Sequence, residues 1–272
     1  ITFLGIQMSG AIPVVLNPPE ADGTTGEYLR AQVRILEDTK ARLIIASEYS
    51  ATTRLFRRHV SHQTFVSTPR DLLKGARPPA RTMAVSPIAA ILVSAGMEGH
   101  ARPIPLSHGD ILANLRALGE PLGVEPQDSV VSWAPLSSAL GLINGWFFSL
   151  FYALPLTILD TARILQQPDL WLWTVAQTNA TISLAPDSGY DNCSRKAPAG
   201  ALEGLDLTRW RVAICAGEFV RAGTLRRFAE RFSPFGFSRY SFVPAYALTE
   251  AAGILLLSPP GRIWLSDQVI PP

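Results

Sequence analysis

The sequence predicts an α/β protein built around a largely parallel sheet that helices cover on both faces. Of its 272 residues, 47% are hydrophobic and only 17% are charged, which indicates a large buried core. Helix-like and strand-like hydrophobic spacings alternate along the chain. The strand-like segments, such as residues 88–93, are continuous apolar runs, as expected for strands buried on both faces of a parallel sheet. The length allows one large domain or two small ones.

The predicted elements follow one another in a regular alternation. A helix end, a turn at Ser9 and Gly10, and a strand open the chain. Further helices are predicted around residues 29–36, 51–58, 108–118, 140–152, 169–177, 187–195 and 221–231. The predicted strands are residues 11–16, 42–46, 63–66, 88–93, 129–133, 156–159, 181–184, 210–215 and 241–243. The segment 68–87, rich in proline and arginine, is predicted to be a surface connection.

Composition excludes several classes of function. The net charge is +2 and the basic residues are scattered, so no nucleic-acid partner is predicted. The two cysteines form no C-x-x-C pair, and the four histidines lack the spacing of metal ligands, so neither a disulfide framework nor a zinc site is expected. These features favour a cytoplasmic protein.

Two apolar stretches raise the question of a membrane span. Residues 1–16 have no initiator Met, basic leader or small-residue cleavage site, so they are interpreted as the helix, turn and strand above and not as a signal peptide. Residues 140–159 are interrupted by Asn144 and broken at Pro155, which leaves a helix too short for roughly 30 Å of hydrocarbon. No membrane span is predicted.

A glycine-containing loop joins a predicted strand to a predicted helix. Residues 91–115 are ILVSAGMEGHARPIPLSHGDILANL. Glycines let a backbone approach phosphate, hydroxyls and amides donate hydrogen bonds, and a cation adds charge. This stretch resembles the phosphate loop of adenylate-forming enzymes, Y-T-S-G-S-T-G-x-P-K-G-V. Ser94, Gly96 and Gly99 stand at its Thr and two of its glycines, and Arg102 stands at its Lys. Without the resemblance, the stretch is a plain strand–loop–helix connection.

The loop also departs from that pattern. Ala95, Met97 and Glu98 replace three hydroxyl residues, and Pro103 replaces the last glycine. Glu98 brings negative charge towards the expected phosphates, and an arginine keeps the charge of lysine but not its shape. These changes predict weakened binding of a triphosphate.

A second motif resembles the fatty-acyl-AMP ligases within that superfamily. Residues 132–143, SWAPLSSALGLI, are similar to W-L-P-x-x-H-D-M-G-L-I, with Ser138 and Ala139 in place of His and Asp. The resemblance implies that Trp133, Leu142 and Trp146 bind the acyl chain. Ordinary core packing accounts equally well for such apolar side chains.

Two further motifs complete the set. Residues 211–221, RVAICAGEFVR, are similar to R-V-A-F-N-G-A-E-P-V-R, with Glu218 on the shared Glu. The resemblance implies that Glu218 belongs to the nucleotide-binding site. Residues 246–250, YALTE, are similar to Y-G-L-[AT]-E. That resemblance implies that Tyr246 packs on adenine, Thr249 meets the α-phosphate and Glu250 ligates Mg²⁺.

The order and spacing of the motifs identify residues 1–257 as an incomplete large N-terminal domain of the adenylate-forming fold, with mostly parallel sheets sandwiched by helices. We expect the family's first several dozen residues and its small C-terminal domain to be absent. Residues 261–265, GRIWL, resemble a strand that normally lies many tens of residues further on. Residues 258–272 are therefore expected to be a strand remnant after a deletion or a gap.

Two functions remain open. The first is activation of a fatty acid or another carboxylate with ATP and Mg²⁺ to an acyl-adenylate, followed by delivery to the thiol of an acyl carrier protein. The resemblance then implies catalytic roles for Thr249, Glu250 and Arg102, with Arg102 neutralising the β- and γ-phosphates. The second is a pseudo-ligase that acts as a scaffold or binds an acyl-adenylate or a carrier protein. Either could belong to a polyketide or peptide synthase.

Overall fold

A computed structural model describes residues 2–17, 25–46, 64–74, 87–94 and 101–261. The chain divides into two compact units, Ile1–His108 and Gly109–Pro272. The predicted boundary at residue 257 remains a prediction.

The described residues of the first unit form short helices and two small sheets. The helices described there are α1 (Thr2–Met8), α2 (Thr25–Asp38) and α3 (Pro69–Leu73). Strands β1 (Leu43–Ile45) and β2 (Phe65–Ser67) pair in parallel, whereas β3 (Ile88–Ser94) and β4 (Arg102–Ser107) form an antiparallel hairpin. Leu29 and Leu36 of α2 pack with Ile44 of β1, as the helical spacing predicts.

The second unit is organised around a six-stranded sheet in the order β10-β9-β8-β7-β5-β6. All neighbours are parallel except β9 and β10. The strands are β5 (Val130–Ser132), β6 (Leu156–Ile158), β7 (Ile182–Ala185), β8 (Val212–Cys215), β9 (Phe242–Leu248) and β10 (Gly253–Leu257). Four of the helices are α6 (Thr161–Gln166), α7 (Asp169–Gln177), α8 (Asp187–Lys196) and α9 (Ala222–Phe232). This architecture confirms the predicted α/β class.

Two helices of this unit differ from the helices predicted from the sequence. Helix α4 (His108–Leu122) continues past the predicted end at residue 118 and tolerates Pro121 in its last turn. Helix α5 is assembled from Ala139–Gly141, a π-helical stretch Leu142–Phe147, and Phe148–Phe151. A π-helical turn inside an α-helix is rare and is often found at functional sites.

An aromatic cluster forms the core between the sheet and helices α7 to α9. Trp171 lies at its centre, in edge contact with Tyr190 and Trp210 at ring-centroid distances of 5.1 and 5.3 Å. Its indole nitrogen donates to Ser183 Oγ at 2.8 Å, so the buried polar atom is satisfied. Both cysteines are free thiols in this buried region, and burial raises the pKa of each.

Several predicted elements differ from the structure. The predicted strand 11–16 is reduced to one bridge between Val14 and Ile91. Strand β4 was not predicted, because Pro103 and Pro105 hide its pattern, although both prolines are accommodated on this two-stranded hairpin. Strand β10 was not predicted either. The predicted helix 51–58 lies outside the described residues.

None of the helices in the described ranges combines the length and the apolarity that crossing a bilayer requires.

Candidate functional site

A cavity of about 620 Å³ lies just beyond the carboxyl end of β8. Residues 217–220 line one part of it, and residues 244–247 of β9 and 256–258 line the rest. Ligands of parallel α/β sheets commonly bind beyond the carboxyl ends of the strands. Tyr246 presents its ring here with 54% of its surface exposed, and Glu218 also lines the cavity. Two predicted nucleotide-binding residues are thus brought together.

The first two residues of α8 hold the loop 217–221 at both ends. Ser188 donates from its backbone nitrogen and its Oγ to the two carboxylate oxygens of Glu218, at 2.9 and 2.8 Å. Buried Asp187 accepts from the backbone nitrogen and the guanidinium of Arg221, at 2.8 and 3.0 Å. The Glu218 carboxylate therefore orders this wall of the cavity.

Thr249 and Glu250 lie in a single 3₁₀ turn, Thr249–Ala251, directly after β9. Glu250 is exposed. The turn leads into Gly253, whose φ of +119° is disfavoured for residues with a Cβ. A Cβ at Gly253 would also come within 2.1 Å of Asn144 Oδ1, so both backbone conformation and space require glycine.

Two asparagines from distant helices hold this turn. Asn114 of α4 donates to the carbonyls of Ala251 and Ile254 at 3.0 and 2.8 Å. Asn144, in the π-helical part of α5, donates to Asn114 Oδ1 at 2.9 Å and accepts from the Ile254 backbone nitrogen at 3.0 Å. Both ends of the segment that carries Glu250 are therefore tied to the helices.

The Asn144→Ala variant is expected to lose about 2 kcal/mol of unfolding free energy, because Ile254 N–H and Asn114 lose buried partners. It should also weaken nucleotide binding, since the Thr249–Ala251 turn loses its support. Urea denaturation and AMP titration would measure the two effects. Asn192→Ala is the matched control, because its side chain makes one exposed bond to the Leu165 carbonyl. Equal unfolding free energies and equal AMP affinities for the two variants would contradict the prediction.

The described residues contain no group of three His, Cys, Asp or Glu side chains that could hold a metal ion by themselves. A lone exposed carboxylate at Glu250 is still compatible with Mg²⁺, which is commonly held by one or two carboxylates together with substrate phosphates and water.

Two residues of the predicted phosphate loop, Ser94 and Arg102, lie in the described part of the first unit. Ser94 ends β3, Arg102 begins β4, and these two residues are partners in the strand register. Ser94 Oγ is buried and has no hydrogen-bond partner among the described residues, whereas Arg102 is exposed. A buried hydroxyl without a protein partner is able to donate a hydrogen bond to an oxygen atom of a ligand. Gly96 and Gly99 lie outside the described residues.

The predicted acyl-binding residues lie at the end of β5 and in α5. Trp133 is 2% exposed, and its ring lies 5.7 Å from that of Trp171. Its indole nitrogen lacks a hydrogen-bond partner in the described part of the chain. Leu142 is buried, and Trp146 is half-buried against Phe147.

Ser138, which replaces the motif's histidine, has a structural role. It is the N-cap of α5, and its Oγ accepts from the Gly141 backbone nitrogen at 3.1 Å. A capping hydroxyl stabilises a helix start by satisfying an otherwise unpaired donor.

Ser188, Phe219, Asn114 and Asn144 were not predicted as functional residues. Asn144 left a signal, because a polar residue inside an apolar helix requires a partner when it is buried. Phe219 left another, because it replaces the proline of the motif that residues 211–221 resemble. Ser188 carries no local pattern that marks it.

Known proteins resemble the chain over most or nearly all of its length. The family model of the AMP-binding enzyme matches residues 1–269. A 4-hydroxyphenylalkanoate adenylyltransferase of Mycobacterium tuberculosis is 26% identical over 272 residues, covering 96% of this chain and 44% of the relative. A medium-chain-fatty-acid–[acyl-carrier-protein] ligase of Moorena producens is 29% identical over 164 residues, covering 60% of this chain and 28% of the relative.

A solved structure from a study of fatty acyl-adenylate ligases from E. coli and L. pneumophila shares the fold, with a TM-score of 0.89 and 26% identity. The match covers 94% of this chain and 47% of that one. The chain thus spans less than half the length of each of these proteins. It belongs to the AMP-binding enzyme family and has the fold of the N-terminal domain of adenylate-forming enzymes.

Proposed function

We propose that the chain is part of a ligase that activates a fatty acid with ATP and delivers the acyl group to a carrier-protein thiol. The observation that carries the proposal is the pairing of the Tyr246 cavity with the anchored turn that presents Thr249 and Glu250. A cavity of about 620 Å³ is in the range of ordinary small-molecule sites. The resemblance to acyl-adenylate-forming relatives supports the same reaction.

In the activation step, a carboxylate oxygen attacks the α-phosphorus of ATP, the bond from that phosphorus to the bridging oxygen breaks, and pyrophosphate leaves. Tyr246 binds the adenine ring, and Thr249 donates a hydrogen bond to the α-phosphate. Glu250 would hold Mg²⁺, which would offset the negative charge on the phosphates.

The phosphate assignments in the first unit are separate proposals. Ser94, Gly96 and Gly99 would contact phosphate oxygens, and the partnerless Ser94 hydroxyl supports the first of these roles. Arg102 would neutralise the β- and γ-phosphates.

The acyl chain and the acceptor complete the reaction. Trp133, Leu142 and Trp146 are proposed to bind the apolar chain, with core packing as the competing explanation for deeply buried Trp133. Transfer to a carrier-protein thiol forms a thioester bond, breaks the bond between the acyl carbon and the phosphate oxygen, and releases AMP and the thiol proton. This step is proposed from the similarity to the acyl-carrier-protein ligase of Moorena producens. A cytoplasmic location remains a prediction from composition.

The second candidate is a pseudo-ligase that binds an adenylate or a carrier protein without making the adenylate. The observation in its favour is that Ser138, at the position of the motif's histidine, caps a helix. The altered loop sequence, with Glu98 and three lost hydroxyls, also favours the pseudo-ligase.

Calorimetric titration with a non-hydrolysable acyl-adenylate analogue and then with Mg·ATP separates these candidates. Tight binding of the analogue and weaker but measurable binding of Mg·ATP, together with fatty-acid-dependent exchange of pyrophosphate into ATP, is the expected result. Binding of the analogue alone would favour the pseudo-ligase. Binding of neither would overturn the nucleotide site itself.

The Arg102→Ala variant should weaken ATP binding about tenfold and leave AMP binding nearly unchanged, because only ATP carries the β- and γ-phosphates. Titrations of both nucleotides measure the difference. Arg163→Ala, which removes an exposed arginine of α6, is the control. Equal losses for ATP and AMP would remove the proposed role.

A further inference from the structure

Phe219 is the most exposed aromatic residue in the described part of the chain. Its exposed fraction is 78%, although it is fully apolar and lies between buried β8 and amphipathic α9. A single exposed phenylalanine is not unusual. Phe219, however, lines the same cavity as Tyr246, the residue proposed to bind adenine.

The backbone around Phe219 is held in place before any ligand binds. Glu218 on one side is held by Ser188, and Arg221 on the other side is held by buried Asp187. The Arg221 guanidinium lies 5.9 Å from the centroid of the Phe219 ring. A residue anchored on both sides loses less conformational freedom when a ligand binds.

Position 219 also departs from the motif that the surrounding sequence resembles. The motif that residues 211–221 resemble has proline directly after the shared glutamate, and this chain has phenylalanine. Phenylalanine in place of proline adds a flat aromatic face to a cavity that already contains a tyrosine ring.

We propose that Phe219 is a specificity-determining residue that provides a second aromatic surface for the purine base of the adenylate, alongside Tyr246. This inference rests on the proposed nucleotide site and adds to it. Planar bases stack on aromatic side chains, and the larger purine ring gains more contact area than a pyrimidine ring. The chain should therefore prefer AMP to CMP partly through Phe219.

The test is titration of AMP and CMP into the full chain carrying Phe219→Leu or Phe219→Trp. Leucine keeps the apolar surface but removes the aromatic face, so Phe219→Leu should raise the AMP dissociation constant about tenfold and reduce the AMP-over-CMP preference. Phe219→Trp should keep AMP affinity within about threefold, since tryptophan also stacks. Phe65→Leu is the matched control, because Phe65 is 72% exposed and does not line this cavity.

Three other outcomes would contradict the role of Phe219, and they distinguish its failure from the failure of the proposed function. If wild-type protein binds AMP and Phe219→Leu binds it equally well, the inference fails and the proposed function stands. If both Phe219 variants lose AMP affinity in parallel with a lower melting temperature, the side chain serves packing and the inference also fails. If wild-type protein binds neither AMP nor the acyl-adenylate analogue, the proposed function fails as well.

Discussion

If the proposed function holds, the Glu250→Ala variant is expected to lose at least about 100-fold in kcat/KM for fatty-acid-dependent exchange of pyrophosphate into ATP, because the reaction would lose the carboxylate proposed to bind Mg²⁺. The variant should fold normally, since Glu250 is exposed on a turn held by other residues. The exchange rate should be measured over a series of Mg²⁺ concentrations. A change in the apparent Mg²⁺ requirement is the specific signature of a ligand role.

Two variants make this result interpretable. Glu250→Gln keeps the side-chain size and should lose activity like the alanine variant, because the missing charge is what matters. Glu230→Ala removes an exposed glutamate of α9 and should retain wild-type activity. Unchanged Mg²⁺-dependent binding in Glu250→Ala would exclude Glu250 as the metal ligand.

The Arg211→Ala variant is expected to lose about 3 kcal/mol of unfolding free energy, because a buried carboxylate loses its cationic partner. Asp128 is 1% exposed, and its Oδ1 accepts from Arg211 Nε at 2.9 Å and from Thr181 Oγ1 at 2.6 Å. Arg211 also donates to the carbonyls of Leu122 and Gly123 at the end of α4, both at 2.9 Å. The arginine is about one-third exposed, so we take the lower end of the range for buried ion pairs.

Urea denaturation would measure this loss against that of Arg195→Ala. Arg195 pairs with Asp191 at 2.8 Å on the surface, where such pairs contribute less than about 1 kcal/mol. If the two variants unfold at the same urea concentration, the buried pair contributes no more to stability than the surface pair, and the prediction is wrong.

The same pair predicts a dependence on pH. Burial by itself opposes ionisation of Asp128, but hydrogen bonds from Arg211 and Thr181 outweigh it and hold the pKa of this carboxyl below its ordinary value. The ionised form therefore stabilises the folded chain above the unfolded-state pKa of about 3.9, and this contribution is lost as pH falls through the lower folded pKa. The difference in stability between wild type and Arg211→Ala should shrink over that acidic range.

Secondary structure could be predicted where apolar residues follow a regular period. Helix α7 matches the prediction at both ends, Asp169 and Gln177, and the buried runs of the central strands all form parallel strands. Prediction failed at β4, where Pro103 and Pro105 interrupt the pattern, and at residues 11–16, where only one bridge forms. In both places the pairing partner decides whether the segment becomes a strand.

The motifs also predicted the cavity residues Glu218 and Tyr246 and the turn with Thr249 and Glu250, but not what holds them. Ser188 lies 30 residues before Glu218, and Asn144 lies 110 residues before Ile254. No local pattern joins residues so far apart.

The sequence by itself determined most of the alternation of strands and helices and indicated the residues that are proposed to carry out the chemistry, because periodicity and motif composition are local properties. Only the tertiary structure decided that Asn114 and Asn144 support the turn of Glu250, that Ser188 holds Glu218, and that Phe219 faces the cavity. Those contacts exist because the fold brings distant segments together. Buried polar groups then form hydrogen bonds with the side chains that the fold places next to them.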